Sequence, residues 1–123
     1  MTNFSVKVTK KDKKQKLPTI HVNGEIDIYT CPELRTALDN IILEGNNSFI
    51  LDLDNTQYID STGLGTIAYS AKNIQNNEGK IYVICTKPQI KKIFQVSGLE
   101  KKNIRLFENS SLIENEIENK ESQ

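Results

Sequence analysis

The residues whose types and spacing suit them best for chemistry are Asp60, Ser61 and Thr62, which stand directly before Gly63-Leu64-Gly65. Each of the three is a competent helix N-cap, because a short side-chain oxygen accepts a hydrogen bond from the first free amides of a helix. Two glycines in a first helical turn cost about 1 kcal/mol each relative to alanine, and a helix needing only a cap has no use for both. They are expected to leave bare backbone beside a hydroxyl, where another macromolecule can settle and reach Ser61. Thr62 is expected to supply the capping hydroxyl while Ser61 faces outward. A capping role alone for Ser61 or Thr62 stays open at this point.

Enzyme chemistry fits this segment poorly. A serine nucleophile on a strand-to-helix elbow would have glycine two positions earlier, but Ile59 stands there, and the only imidazole is His21, far upstream. A phosphate-cradling loop would carry lysine after its glycines, and the acid at Asp60 repels phosphate. Asp27 and Asp60 do not suggest a glycosidase pair, since nothing else in the chain resembles a sugar platform. Cys31 and Cys85 are far apart with no Cys-x-x-Cys, so neither a disulfide framework nor a zinc site is expected. His21, between Ile20 and Val22, is expected to be an exposed strand residue. No catalytic residue, cofactor or metal is expected.

The elements that must position Ser61 follow from periodicity. Phe4, Val6 and Val8 alternate with polar residues, as do Ile20, Val22 and Ile26, and the lysine-rich stretch between the two runs reads as a hairpin loop. Leu34, Ala37, Leu38, Ile41 and Ile42 fall at helical spacing, opened by a capping-box pattern, Thr30-Cys31-Pro32-Glu33, and closed by Gly45. Phe49–Leu53 reads as a strand and residues 54–59 as a connection. Leu64, Ile67, Ala68, Ala71 and Ile74 mark the next helix, and residues 80–85 the next strand. A third helix runs from Pro88 to Gly98, a last strand spans residues 103–107, and a final helix carries Leu112, Ile113 and Ile117.

The order β-β-α-β-α-β-α-β-α implies an α/β fold, with a mixed, mostly parallel sheet of about five strands and about four helices. At 123 residues the chain fits one domain, against a prior of about 150 residues per domain. The domain is expected over residues 1–113, followed by a polar, acidic tail over 114–123 that frays.

Sixteen Lys and Arg balance sixteen Asp and Glu, which disfavours a module that binds the phosphate backbone of nucleic acid. The balance hides segregation: residues 7–16 carry a net +5, residues 25–60 a net −7, residues 72–105 a net +6 and residues 108–121 a net −4. Lys91, Lys92, Lys101 and Lys102 are expected to be a solvated surface rather than a nucleic-acid patch, since no aromatic residues interleave them. Neither a signal peptide nor a membrane-spanning run is read, so a cytoplasmic location is expected.

Asp60-Ser61-Thr62-Gly63-Leu64-Gly65, with Gly24-Glu25-Ile26-Asp27, Tyr29-Thr30-Cys31-Pro32-Glu33-Leu34-Arg35 and Ile93-Phe94-Gln95-Val96-Ser97-Gly98-Leu99, resembles the anti-sigma factor antagonists of the bacterial STAS-domain family. The resemblance covers nearly the whole chain and is nearest to the antagonists of the general stress sigma factor system. It implies a partner-switching regulator rather than an enzyme. The unphosphorylated form would bind an anti-sigma factor that is also a GHKL-type serine kinase, releasing the sigma factor. Phosphorylation of Ser61 would abolish that binding, and a PP2C-type phosphatase would restore it. The partner-binding residues it implies are Asp27, Asp60, Ser61, Thr62, Gly63, Leu64 and Gly65, with Asp27 beside the serine as a partner contact or an orienting group. A STAS subunit of a stress-sensing scaffold or of a lipid-transport complex is an alternative, as is a nucleotide-binding STAS domain.

Overall fold

The computed structural model describes residues 3–100 and 103–121. Nine elements follow in the expected order: β1 (Ser5–Thr9), β2 (Thr19–Ile26), α1 (Cys31–Leu43), β3 (Phe49–Ile59), α2 (Ser61–Gln75), β4 (Ile81–Ile84), α3 (Pro88–Ser97), β5 (Ile104–Phe107) and α4 (Ser110–Glu121). The strands form one sheet in the order β1-β2-β3-β4-β5. The β1–β2 hairpin is antiparallel, and β2 through β5 run parallel to one another.

Alternation along the central strands divides the core. Phe49, Leu51 and Leu53 of β3, with Ile81 and Val83 of β4, pack against Leu34, Leu38 and Ile41 of α1, Ile67 and Ile74 of α2, and Ile90 and Phe94 of α3. Ile50, Tyr82 and Ile84 point to the opposite face, where Ile113 of α4 covers them. Burial on both faces explains why Phe49–Leu53 is nearly continuous in apolar residues.

Three local expectations are corrected. The stretch 54–59 is no connection: β3 runs unbroken to Ile59, but its register against β2 shifts between His21 and Asn23 and again between Gly24 and Glu25. Such irregularities break the period of two that marks a strand in sequence. Second, Thr30 sits before α1 in helical conformation with no side-chain cap bond, so the capping box does not form. Its hydroxyl instead donates to the Glu25 carbonyl at 2.7 Å and accepts from the Asp27 amide at 2.9 Å, closing the loop ahead of the helix. Third, the stretch expected to fray from 114 is helical as far as Glu121, in the same helix that was expected to carry Ile117. Ile117 packs against the smaller cluster, and Arg105 of β5 donates to Glu116 at 2.9 Å.

Candidate functional site

Ile26 pairs with Ile59, so β2 and β3 end at one level and the turns that follow them lie side by side at the C-terminal edge of the sheet. The Asp60 amide donates to the Ile26 carbonyl at 3.0 Å and joins the two turns. Ser61 is the first residue of α2 and is exposed. Its hydroxyl makes no hydrogen bond among the described residues, which leaves it available to a reagent from solvent.

The helix beneath it is capped by Asp60, not by Thr62. The Asp60 backbone is extended, and its Oδ1 accepts from the Gly63 amide at 2.9 Å, while the Leu64 amide donates to the Asp60 carbonyl at 3.1 Å. Thr62, expected to cap, lies inside the helix with its side chain exposed. A helical residue points its hydroxyl away from the amides that an N-cap reaches, so only the last extended residue, Asp60, can serve. The ladder of α2 begins at Leu64, and the amides of Ser61 and Thr62 precede it at the positive end of the helix dipole.

The two glycines do different work. A Cβ on Gly63 would lie 2.5 Å from Ile26 Cγ2 and 3.0 Å from Ile59 Cγ2, so this glycine lets α2 sit close on the ends of β2 and β3. It is buried and offers no surface, contrary to the expectation of bare backbone at both positions. A Cβ on Gly65 would meet nothing within 4 Å, and Gly65 is the open one. Leu64 turns partly inward against the core. Of the expected partner contacts, Asp27, Asp60, Ser61, Thr62 and Gly65 thus share the surface, while Gly63 and Leu64 hold the helix in place from beneath.

Asp27 opens the neighbouring turn. Its Oδ1 accepts from the Thr30 amide at 3.0 Å and the Tyr29 amide at 2.8 Å. The Thr30 amide, and after it the Tyr29 amide and the Thr30 hydroxyl, hold the carboxyl below the usual aspartate range against an opposing desolvation. Asp27 therefore orders its own loop and makes no hydrogen bond to Ser61. A further tie joins the two helices: Cys31 Sγ lies 2.8 Å from Thr66 Oγ1, which donates to the Thr62 carbonyl at 3.1 Å. The Cys31 thiol also lies 3.7 Å from the Thr62 carbonyl, which it can reach as a donor, so cysteine and threonine share one acceptor in α2. Cys85 is buried elsewhere, and desolvation pushes its thiol up to about 11, so it is no nucleophile at neutral pH.

Exposed apolar side chains rim this surface. Tyr29 is 88% exposed and Ile28 62%, both in the loop that Asp27 orders, and Tyr58 stands exposed at the end of β3. On the neighbouring helices Arg35 lies over the exposed Tyr69 ring at 5.4 Å. Ile28 and Tyr69 are not among the contacts expected from sequence. The available signal was two large apolar residues, Ile28-Tyr29, in a turn where polar residues are usual.

Other expected residues lie away from the site. His21 is half-buried rather than simply exposed, with Nε2 3.1 Å from Thr9 Oγ1 and Nδ1 3.2 Å from Asp52 Oδ2, because flanking strands present polar side chains on its face. Lys91 pairs with Glu108 at 3.2 Å, and Lys101 and Lys102 lie outside the described residues. No helix among the described residues is long and apolar enough to cross a membrane.

The model of the STAS domain matches residues 9–113. The chain belongs to the STAS domain family. Among its STAS relatives is the anti-sigma-B factor antagonist of Staphylococcus aureus (strain NCTC 8325 / PS 47), 32% identical over 98 residues that cover 80% of this chain and 88% of the relative. The anti-sigma-B factor antagonist of Staphylococcus epidermidis is 35% identical over 81 residues, covering 66% of this chain and 75% of that one. The fold is that of an anti-sigma factor antagonist from Mycobacterium paratuberculosis, with a TM-score of 0.76, 22% identity and 87% of each chain covered. It is also that of SpoIIAA in its unphosphorylated form, with a TM-score of 0.69, 15% identity, and 93% of this STAS chain and 98% of the other covered. The Bacillus cell fate determinant SpoIIAA in its phosphorylated form gives a TM-score of 0.65 at 19% identity, covering 92% and 98%.

Proposed function

We propose that this chain is an anti-sigma factor antagonist that works by partner switching in the cytoplasm, with Ser61 as the switch. Unphosphorylated, it binds an anti-sigma factor that is also a GHKL-type serine kinase, and so frees the sigma factor. The kinase transfers phosphate to Ser61, the complex separates, and a PP2C-type phosphatase resets the switch. The observation that carries this reading is an exposed, hydrogen-bond-free serine at the first position of a helix already capped by its neighbour Asp60. The relatives named as anti-sigma-B factor antagonists support it.

The physics of the switch follows from that position. Phosphate adds about −1.5 to −2 charges and three acceptor oxygens. At a helix N-terminus the dipole and free amides favour an anion by about 0.3–1 kcal/mol, so the fold tolerates it without rearrangement. At an interface, one like-charge contact at about 5 Å with an effective dielectric near 20 costs roughly 3 kcal/mol, more than a hundredfold in affinity. The partner separates by repulsion, and no refolding of this chain is required. Asp27 contributes by holding Ile28 and Tyr29 in one presented conformation, and Gly65 by leaving room for close approach.

The test is incubation of the purified chain with ATP and the kinase, followed by mass-spectrometric mapping. The expected product carries one phosphate on Ser61, and Ser61→Ala carries none. Phosphate on Thr62 or elsewhere, or its persistence in Ser61→Ala, overturns the assignment.

A further inference from the structure

The partner-switching surface leaves the lysine-rich hairpin without a role. Its loop, residues 10–18, precedes Thr19 and so lies at the N-terminal end of β2, while Ser61 follows the C-terminal end of the parallel β3. Eight strand residues at about 3.3 Å each separate the two by roughly 25 Å. Lys10, Lys11, Lys13 and Lys14 are all exposed. The loop that bears them is built: the Asp12 amide donates to the Gln15 carbonyl at 2.8 Å, and Asp12 Oδ1 accepts from the Lys14 and Gln15 amides at 2.8 and 2.7 Å. Gln15 Nε2 in turn donates to the Leu17 carbonyl at 2.8 Å and to Thr19 Oγ1 at 2.9 Å. The one acid of the loop is thus engaged in shaping it. Lys80 and Lys120 line a cleft of about 510 Å³ at the same strand ends. Acids stand nearby too, Glu44 beside Lys10 and Lys11, Asp52 and Glu114 in the cleft that Lys14 lines, and Glu78 with Lys80, but within the loop itself five lysines outnumber the one acid.

We propose that this lysine hairpin docks on the anionic headgroups of a lipid bilayer and so holds the Ser61 end of the molecule facing away from the membrane. A bilayer offers a plane of negative potential, which requires only several ammonium groups at one level and draws about fivefold in affinity from each. Nucleic acid fits less well. Its recognition favours bidentate arginine or stacked aromatic rings, and residues 7–16 contain neither. With no net charge on the chain, its attraction to a charged surface depends on orientation, and a plane lets all the hairpin lysines engage together. The inference stands apart from the switch, since it uses no residue of the Ser61 surface.

Sedimentation with phosphatidylcholine vesicles, with and without phosphatidylglycerol, tests it. The chain is expected to pellet with the phosphatidylglycerol vesicles at low salt, to stay in solution with pure phosphatidylcholine, and to be released in 1 M salt, where the screening length falls to about 3 Å. K10Q/K11Q/K13Q/K14Q is expected to lose more than a hundredfold in affinity. The pair K10Q/K11Q should lose more than tenfold, while the charge-matched pair K91Q/K92Q, near the start of α3 and so toward the Ser61 end of the sheet, stays close to wild type. S61E, altered at the far end, should pellet as wild type does. Sedimentation by the fourfold variant at wild-type level, equal binding to pure phosphatidylcholine, no binding to either vesicle, or tighter binding to duplex DNA at the same salt each overturns the proposal.

Discussion

At the residue scale, the site is a division of labour among neighbours that look interchangeable in sequence. Asp60, Ser61 and Thr62 are all suited to capping, but only Asp60 has the extended backbone that brings a side-chain oxygen to the Gly63 amide. The two glycines separate under the same geometry and make a paired prediction. Gly63→Ala drives a methyl group into Ile26 and Ile59 and should destabilise the fold by about 1–3 kcal/mol in urea denaturation. Gly65→Ala meets open space and should stabilise the free chain by about 0.5–1 kcal/mol, while weakening binding to the proposed kinase partner. Asp27 supplies a second prediction. Because folding lowers its pKa, its contribution is fully present above the usual carboxylate range and is lost as pH falls through the lowered value. The Tyr29 and Thr30 amide signals should therefore shift together in acid, at a pH below that of an ordinary aspartate. In Asp27→Asn the same amides should show no such step.

At the element scale, α4 stands apart, since among the described residues it is the helix that packs on the Ile50, Tyr82 and Ile84 face of the sheet. Ile113 is fully buried against Ile50, Tyr82 and Ile84, so Ile113→Ala should cost about 2–4 kcal/mol and expose that face, measured as a lower urea midpoint. The order of all nine elements was legible in the sequence, because apolar spacing changes period wherever strand gives way to helix. Gly45 and Gly98, both with positive φ, end α1 and α3 where their positions suggested. What escaped reading has a common physical origin in contacts between distant segments. The register shifts in β3 arise from pairing with β2, and the persistence of α4 past Glu114 rests on Arg105 and on the apolar face of the sheet. Thr30 failed as a cap for a similar reason, since its hydroxyl closes the loop back to Glu25. The serine itself was legible because its neighbours form a distinctive string. That Gly63 faces inward became visible only once Ile26 and Ile59 were seen to end beneath it.

At the scale of the whole molecule, zero net charge conceals a separation between the two ends of the sheet. Asp27 and Asp60 stand at the end that carries Ser61, and the exposed lysines of the β1–β2 loop stand at the other. In the proposed switch, phosphorylation of Ser61 would deepen that separation, adding about 1.5 to 2 negative charges where two carboxylates already stand and making the surface hostile to a partner that approaches with an acid at its centre. It would leave the helix beneath undisturbed, because the amides that precede the α2 ladder can donate to the anion. The most direct measurement is the affinity of the proposed kinase partner, purified, for the chain before and after stoichiometric phosphorylation of Ser61, with circular dichroism recorded on both forms. A loss of at least a hundredfold with superimposable spectra is the predicted result. Equal affinity in the two forms, or a loss accompanied by collapse of the helical signal, would contradict repulsion at an intact surface.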